Sequence, residues 1–408
     1  MLVIGARRLC TILAAVSIAA LTGCQTPSAP PPKLVPPPVA PVKFAPHQLS
    51  QDQSYFLRMP NMAQDKTPLR VGVILPFSNP TPATRNLAGA MMKAAELALY
   101  DSGSRDIVLM TADDSTRPDD AASAARKLIG QGAEVIVGPL FAASVTAVAP
   151  VARDSGVPVI AFSTDRSVAG DGVYLLSFQP ETEVRRVVSY AASQGHKNFS
   201  ALIPSTAYGR VTEEAFREAV DANGGKIAMM EHFSPSGSVT EQAGFIAKAA
   251  PDAIFIPQGG APLRAMASAL AGNGVDIGNT KLLGTGLWDD PATGKENALR
   301  DGWFAAPAPD TDQSFVAKYR STFGSAPPQL AALAYDAISL VALIGAGEPY
   351  HRFTQAALTD PNGFAGVDGI FRFRENGSIE RGLSVLAVRP GGFEVVSPAP
   401  ATFEKKGS

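Results

Sequence analysis

Few residues in this chain stand where they could make or break bonds. The four histidines, His47, His196, His232 and His351, are far apart, and no two lie one helical turn from each other to share a zinc ion. No Gly-x-Ser-x-Gly elbow presents a serine, and the only cysteines, Cys10 and Cys24, fall near the N-terminus. Gly284-Thr285-Gly286, with Gly294-Lys295 beyond it, lacks the spacing and the hydroxyl residue after the lysine that a phosphate loop needs. Asp113-Asp114 has no further oxygen ligands at fixed spacing, so it reads as a helix-capping or solvated pair. An enzyme, a metal and a cofactor are therefore not expected. What remains is binding chemistry. Ser163-Thr164-Asp165 sets two hydroxyls beside a carboxylate, and Trp288-Asp289-Asp290 sets an aromatic ring beside two carboxylates after a strand end. The same residue types also cap helices and close turns.

One cysteine does have a chemical context. Leu21-Thr22-Gly23-Cys24 ends an apolar run, Leu9 to Leu21, that follows Arg7 and Arg8. That is the form of an export signal, and the run is too short to span a bilayer. Small residues before a thiol admit a peptidase and leave sulfur to carry an acyl chain. The box resembles that of bacterial lipoproteins, which implies cleavage before Cys24 and anchoring through it. Each buried methylene adds about 0.8 kcal/mol, so two or three chains hold a protein on a membrane without a spanning helix. Gln25 stands where aspartate would signal inner-membrane retention, so the outer membrane is expected.

From Cys24 to Lys66 the chain is rich in proline and has no glycine. Proline fixes φ and removes donors, so this segment is expected to be an extended tether, dispensable for folding, that spans about 70 Å between Gln25 and Pro46. Past Cys24 no thiol remains, and stability must come from a core. With 46% apolar residues and a formal charge of −2, the chain can build one or two cores and has no basic field for nucleic acid.

From Leu69 short apolar runs alternate with alanine-rich amphipathic stretches, the pattern of βαβ units. Strands are predicted at Leu69 to Leu75, Ile107 to Thr111, Glu134 to Val137 and Val157 to Phe162. A helix through Leu87, Met91, Ala94 and Ala98 follows the first strand, and others cover Asp119 to Ile129 and Ala142 to Asp154. The rhythm restarts after Gly195. Strands at Phe199 to Ile203, Lys226 to Phe233, Ala253 to Pro257 and Lys281 to Gly284 are separated by helices at Gly209 to Ala222, Val239 to Ala250 and Pro262 to Ala271. Helices Asp312 to Phe323, Gln329 to Ile344 and Arg352 to Leu358 come next, and the tail alternates with period two as antiparallel hairpins. The fold class is α/β, with two doubly wound parallel-sheet lobes.

Three runs carry a family resemblance: Leu69-Arg70-Val71-Gly72-Val73-Ile74-Leu75-Pro76, Val135-Ile136-Val137-Gly138-Pro139-Leu140 with Ser144 opening the next helix, and Gly156-Val157-Pro158-Val159-Ile160-Ala161. Tyr208-Gly209 and Tyr335-Asp336-Ala337 add to them. The chain resembles the type I periplasmic binding proteins, in the leucine, isoleucine, valine and amide branch of ABC-transporter receptors. The resemblance implies two lobes joined by three hinge crossings, with a small amino-acid-like or amide ligand trapped between them and passed to an ABC permease. It implies lobe 1 over 67–181 and 307–361, and lobe 2 over 182–306 and 362–398, between a 1–23 signal with its 24–66 tether and a 399–408 tail. The expected ligand residues are Ser144, Ser163, Thr164, Asp165, Tyr208, Trp288 and Asp289, with Ser163 and Thr164 meeting a carboxylate and Asp165 an ammonium.

Two departures bear on function. Phe141-Ala142-Ala143 stands where the amino-acid receptors have a small hydroxyl residue, and Ser234 to Val239 holds no acid to meet an ammonium. With the long tether, these give a second expectation: a regulatory lipoprotein similar to the activators of penicillin-binding proteins, reaching a cell-wall synthase.

Overall fold

The structure, a computed structural model, describes residues 56–59, 67–234 and 237–403. The export signal, Cys24 and most of the proline-rich segment lie outside the described residues.

Lobe 1 opens with β1 (Phe56–Arg58) and continues through β2 (Leu69–Leu75), α1 (Pro82–Ser102), β3 (Ile107–Asp113), α2 (Pro118–Gly130), β4 (Val135–Val137), α3 (Ala142–Asp154), β5 (Val159–Ala161) and β6 (Val173–Leu175). Its sheet has the order β1-β3-β2-β4-β5-β6, parallel except for β1. β2 is buried along its whole length, as a strand covered on both faces must be. Leu69, Val71, Val73 and Leu75 enter one core and Ile74 the other, which is the period of two. Pro82 starts α1 in its first turn, where a missing N–H costs nothing, and Gly103 stops it with φ of 63°.

Lobe 2 runs through α4 (Pro180–Ser193), β7 (Asn198–Pro204), α5 (Ala207–Ala222), β8 (Lys226–Phe233), α6 (Thr240–Ala249), β9 (Ala253–Phe255), α7 (Gly260–Gly272), β10 (Lys281–Gly284) and β11 (Trp303–Ala306). The chain then returns to lobe 1 as α8 (Gln313–Phe323), α9 (Ala331–Ile344), α10 (Gln355–Leu358) and a small antiparallel sheet of β12 (Phe364–Gly366), β13 (Gly369–Phe373) and β14 (Ile379–Arg381). β15 (Ser384–Arg389) and β16 (Gly392–Ser397) complete the second large sheet, in the order β16-β15-β11-β10-β9-β7-β8. The chain thus crosses between lobes after β6, after β11 and after β14. Two doubly wound lobes joined by these crossings bear out the expected fold class.

Four local expectations change. β1 falls inside the segment read as a free tether, yet it pairs antiparallel with β3 from Phe56 to Arg58, and Leu57 and Met59 pack on the lobe 1 core. Folding therefore draws on residues before Thr67, because β3 would otherwise be an open edge. β6 and α4 were not foreseen, although Pro180, Glu181 and Glu183 open α4 and Val184, Val187, Val188 and Ala191 form its buried stripe. The helix expected from Arg352 begins only at Gln355. Arg352 instead donates to the Gly347 carbonyl at 3.1 Å, and Thr354 caps the turn by accepting from the Ala357 amide at 3.2 Å. Finally, Phe364, Phe371, Phe373 and Ile379 belong to the lobe 1 core, so the segment from 362 joins lobe 2 only at β15. Alternation reveals which side of a strand is apolar, not which lobe covers it.

Candidate functional site

In each large sheet the parallel strands deliver their carboxyl ends, and the helix N-termini that follow, to one face, where ligands of open α/β sheets bind. On lobe 1 this face carries the loops after β2, β3, β4 and β5. Asp113 accepts from the Ser115 amide at 2.9 Å and the Ser78 amide at 3.3 Å, and Asp114 accepts from Thr116 at 3.0 Å. The acidic pair therefore ties two loops together. Ser144 is wholly buried in the first turn of α3 beside Asp114, whose carboxyl burial raises. Ser163 is buried and its hydroxyl accepts from the Asp165 amide at 3.1 Å. Asp165 is exposed and caps a short 3-10 turn through Oδ1, which accepts from the Ser167 amide at 2.9 Å and hydroxyl at 2.7 Å. Thr164 is exposed.

On lobe 2 the N-terminus of α4 meets the loops after β7 and β10. The Tyr208 and Thr285 hydroxyls share a hydrogen bond of 2.8 Å, and Glu183 accepts from the Gly286 amide at 2.9 Å. Burial lifts the Glu183 carboxyl to about 7; the Gly286 amide opposes the rise and the charge of Glu181 adds to it. The Tyr208 phenol is raised by burial and by Glu183. Gly209 presses so closely on the Pro204 carbonyl that no side chain fits there. The sequence-predicted Tyr208 is thus brought together with three residues not foreseen, Glu183, Thr285 and Gly286.

Trp288 is not on this face. Its ring is fully buried in the lobe 2 core, its Nε1 donates to the Ile256 carbonyl at 3.1 Å, and a side chain at Gly302 would come within 2.8 Å of it. The next residue, Asp289, reaches solvent, yet the surrounding chain and then Asp312 and Asp290 raise its carboxyl.

Across the cleft, the Arg166 guanidinium of lobe 1 and the Glu181 carboxylate at the start of α4 stand 3.6 Å apart. At the hinge, Arg381 donates through Nε to the Ser177 carbonyl at 3.2 Å and lies over Phe178 at 4.6 Å and Phe371 at 5.4 Å. Its Nη2 is 3.9 Å from Asp336 Oδ2, too far for a hydrogen bond. Asp336 uses its other oxygen to accept from the Val367 amide at 2.7 Å. Buried and without a protein partner around this point are Ser177 Oγ, Gln179 Nε2, Glu181 Oε2, Asp336 Oδ2, Asp368 Oδ2 and both Arg381 Nη atoms. Burial holds Asp336 at about 6 and Asp368 at about 7, against the pull of Arg381. Such groups are costly unless something polar meets them. Among the described residues, no grouping of His, Cys, Asp and Glu could hold a metal ion, and no helix is long and apolar enough to cross a membrane. The arrangement suits recognition by hydrogen bonds and charge.

A sequence profile described as periplasmic binding protein matches residues 68–392. A Rhodospirillum rubrum structure, provisionally assigned as a branched-chain amino acid ABC transporter, is similar to this chain with TM-score 0.73 and 22% identity, over 81% of this chain and 100% of that one. A branched chain amino acid ABC transporter periplasmic ligand-binding protein from Burkholderia xenovorans gives 0.66 and 20%, over 82% and 96%. An ABC transporter substrate-binding protein from Desulfitobacterium hafniense, in complex with Leu, gives 0.61 and 21%, over 81% and 100%. At these identities the likeness shows the fold. An uncharacterized protein of Rickettsia prowazekii is 17% identical over 180 residues, 44% of this chain, and the match spans only 47% of that relative's length.

Proposed function

Since the chain belongs to the periplasmic binding protein family, we propose that it is a lipid-anchored receptor that closes its two lobes on a small, polar, amino-acid-like or amide ligand and delivers it to an ABC permease. The observation that carries this reading is the set of polar groups brought to the facing ends of both sheets. Ser163 and Arg166 stand on one lobe, and Tyr208, Thr285, Glu181 and Glu183 on the other. Ligand capture here is non-covalent, with no reaction catalysed. A ligand at a hundred times its Kd would stabilise the fold by about 2.7 kcal/mol. The test is calorimetry with a panel of amino acids, amides and aromatic carboxylates. Saturable binding that weakens on the order of tenfold in Tyr208→Phe supports the cleft as its seat. Anchoring through Cys24 is tested separately: Cys24→Ala should leave the membrane fraction.

A second reading, a regulator of a penicillin-binding protein, draws on specific residues. One Asp165 oxygen is engaged as a cap and Trp288 is interior, while Phe141 and Leu287 expose apolar side chains on the cleft-facing loops of opposite lobes. A panel without any ligand, together with capture of a purified cell-wall synthase that is lost in Phe141→Ser, would favour it.

A further inference from the structure

Lobe 1 has a recess at the end away from the cleft, where β2 and β3 begin. A cavity of about 410 Å³, within the range of small-molecule sites, lies there between the starts of those strands and the chain that follows α9. Leu69, Ile107, Ala342, Ala346 and Pro349 give it an apolar wall, and Thr67 and Ser104 add hydroxyls. Arg352 lines it too, although its side chain is only 9% exposed. Its Nε donates to the Gly347 carbonyl at 3.1 Å. Glu134 Oε2 is 3.8 Å from that same Nε, past hydrogen-bonding distance, and accepts instead from the Tyr350 amide at 2.7 Å. Neither Nη of Arg352 has a hydrogen-bond partner among the described residues, and neither is sealed in by protein. Arg70, 5% exposed, also acts on Glu134, so one buried carboxylate serves two cations. A guanidinium nine-tenths withdrawn from water, with its outer edge open to a cavity, lacks the bonds that its burial demands.

We propose that this cavity is a second ligand site, separate from the cleft, that takes a small monocarboxylate with a short apolar body. The carboxylate meets the two Nη atoms of Arg352 side by side, the pairing a planar guanidinium makes best. The apolar body lies on Leu69, Ile107 and Ala346. Ser104 Oγ accepts from the Asp106 amide at 3.4 Å and keeps its own proton to donate. The surroundings also set a limit on charge. Asp106 lines the same cavity, and α1 and α9 end beside it at Ser102 and Ile344, where helix carbonyl ends add partial negative charge. Arg352 matches one negative charge on the ligand; a second would face Asp106 and the helix ends with nothing to balance it. Phosphate and dicarboxylates are therefore rejected. The lining belongs wholly to lobe 1, so the site needs no closure of the lobes and does not depend on what the cleft binds.

The experiment is a ligand-observed NMR titration of the full chain with isobutyrate, its neutral isostere isobutyramide, succinate and inorganic phosphate. Isobutyrate should bind saturably, and each of the other three on the order of tenfold more weakly or worse. Arg352→Gln removes the charge and should weaken isobutyrate binding on the order of tenfold or more. Ala346→Phe fills the cavity from an exposed position and leaves Arg352 in place, and it should have the same effect. That second variant keeps the test decisive if Arg352→Gln does not fold. Absence of isobutyrate binding would overturn the proposal, as would affinity unchanged in Ala346→Phe. Phosphate or succinate bound as tightly as isobutyrate would overturn it too.

Discussion

Glu183 is a residue whose chemistry departs far from its type. Its carboxyl, held at about 7 against an ordinary 4.5, keeps its proton in the folded chain while the unfolded chain has already lost it. The folded state therefore binds more protons between those values, and stability falls as pH rises through them, levelling off above 7. In Glu183→Gln the amide oxygen still accepts from Gly286 but no charge is buried. The variant should match the parent at pH 4 and exceed it at pH 8 by up to about 3 kcal/mol, read from urea unfolding at the two pH values. Equal pH dependence in both proteins would show that Glu183 is ionised without cost. Little of this was legible in the sequence. Ser163, Thr164 and Asp165 have the types of a binding loop, but types do not say whether an oxygen is spent on its own backbone, and Asp165 is. Trp288 reads as a ligand residue because it follows a strand end; Gly284 and Gly302, which leave the space that buries it, are distant in sequence or too close to suggest packing.

At the scale of elements, the parallel strands were legible because burial on both faces demands unbroken apolar runs. α4 carries equally plain signals but is absent from the elements predicted from the sequence, and Glu181 and Glu183 are absent from the predicted site with it. β1 had no such signal: three residues in a proline-rich context mean nothing until β3 offers an edge. Phe56 and Leu57 are half-buried there, so their loss should cost about 1–3 kcal/mol. A chain beginning at Thr67 should accordingly melt several degrees below one beginning at Gln25. Identical melting curves would show that β1 contributes no net stability. The small β12–β14 sheet was read correctly as hairpins, but its partner core could not be read from alternation alone.

For the whole molecule, the relevant variable is the angle between lobes. Arg166 and Glu181 join them across the cleft at a partly exposed site, where an ion pair adds little to global stability but can bias two states that lie close in energy. Arg166→Ala should enlarge the radius of gyration in small-angle scattering without ligand and leave the melting temperature within about a degree of the parent's. A lowered melting temperature with unchanged radius would make Arg166 a stabilising residue rather than a latch.

The placement of β1 has a mechanical side. It lies on the outer edge of the lobe 1 sheet, hydrogen-bonded to β3 and remote in sequence from all of the crossings. Tension arriving along the chain from upstream of Phe56 is loaded onto that ladder and spread through a buried sheet before it can reach the hinge. Lobe 2, which the described chain enters only by the crossings, carries none of this load directly. With an anchor upstream, as proposed above, lobe 2 would be left to swing while lobe 1 is pulled, much as a gate turns when only its post is tethered.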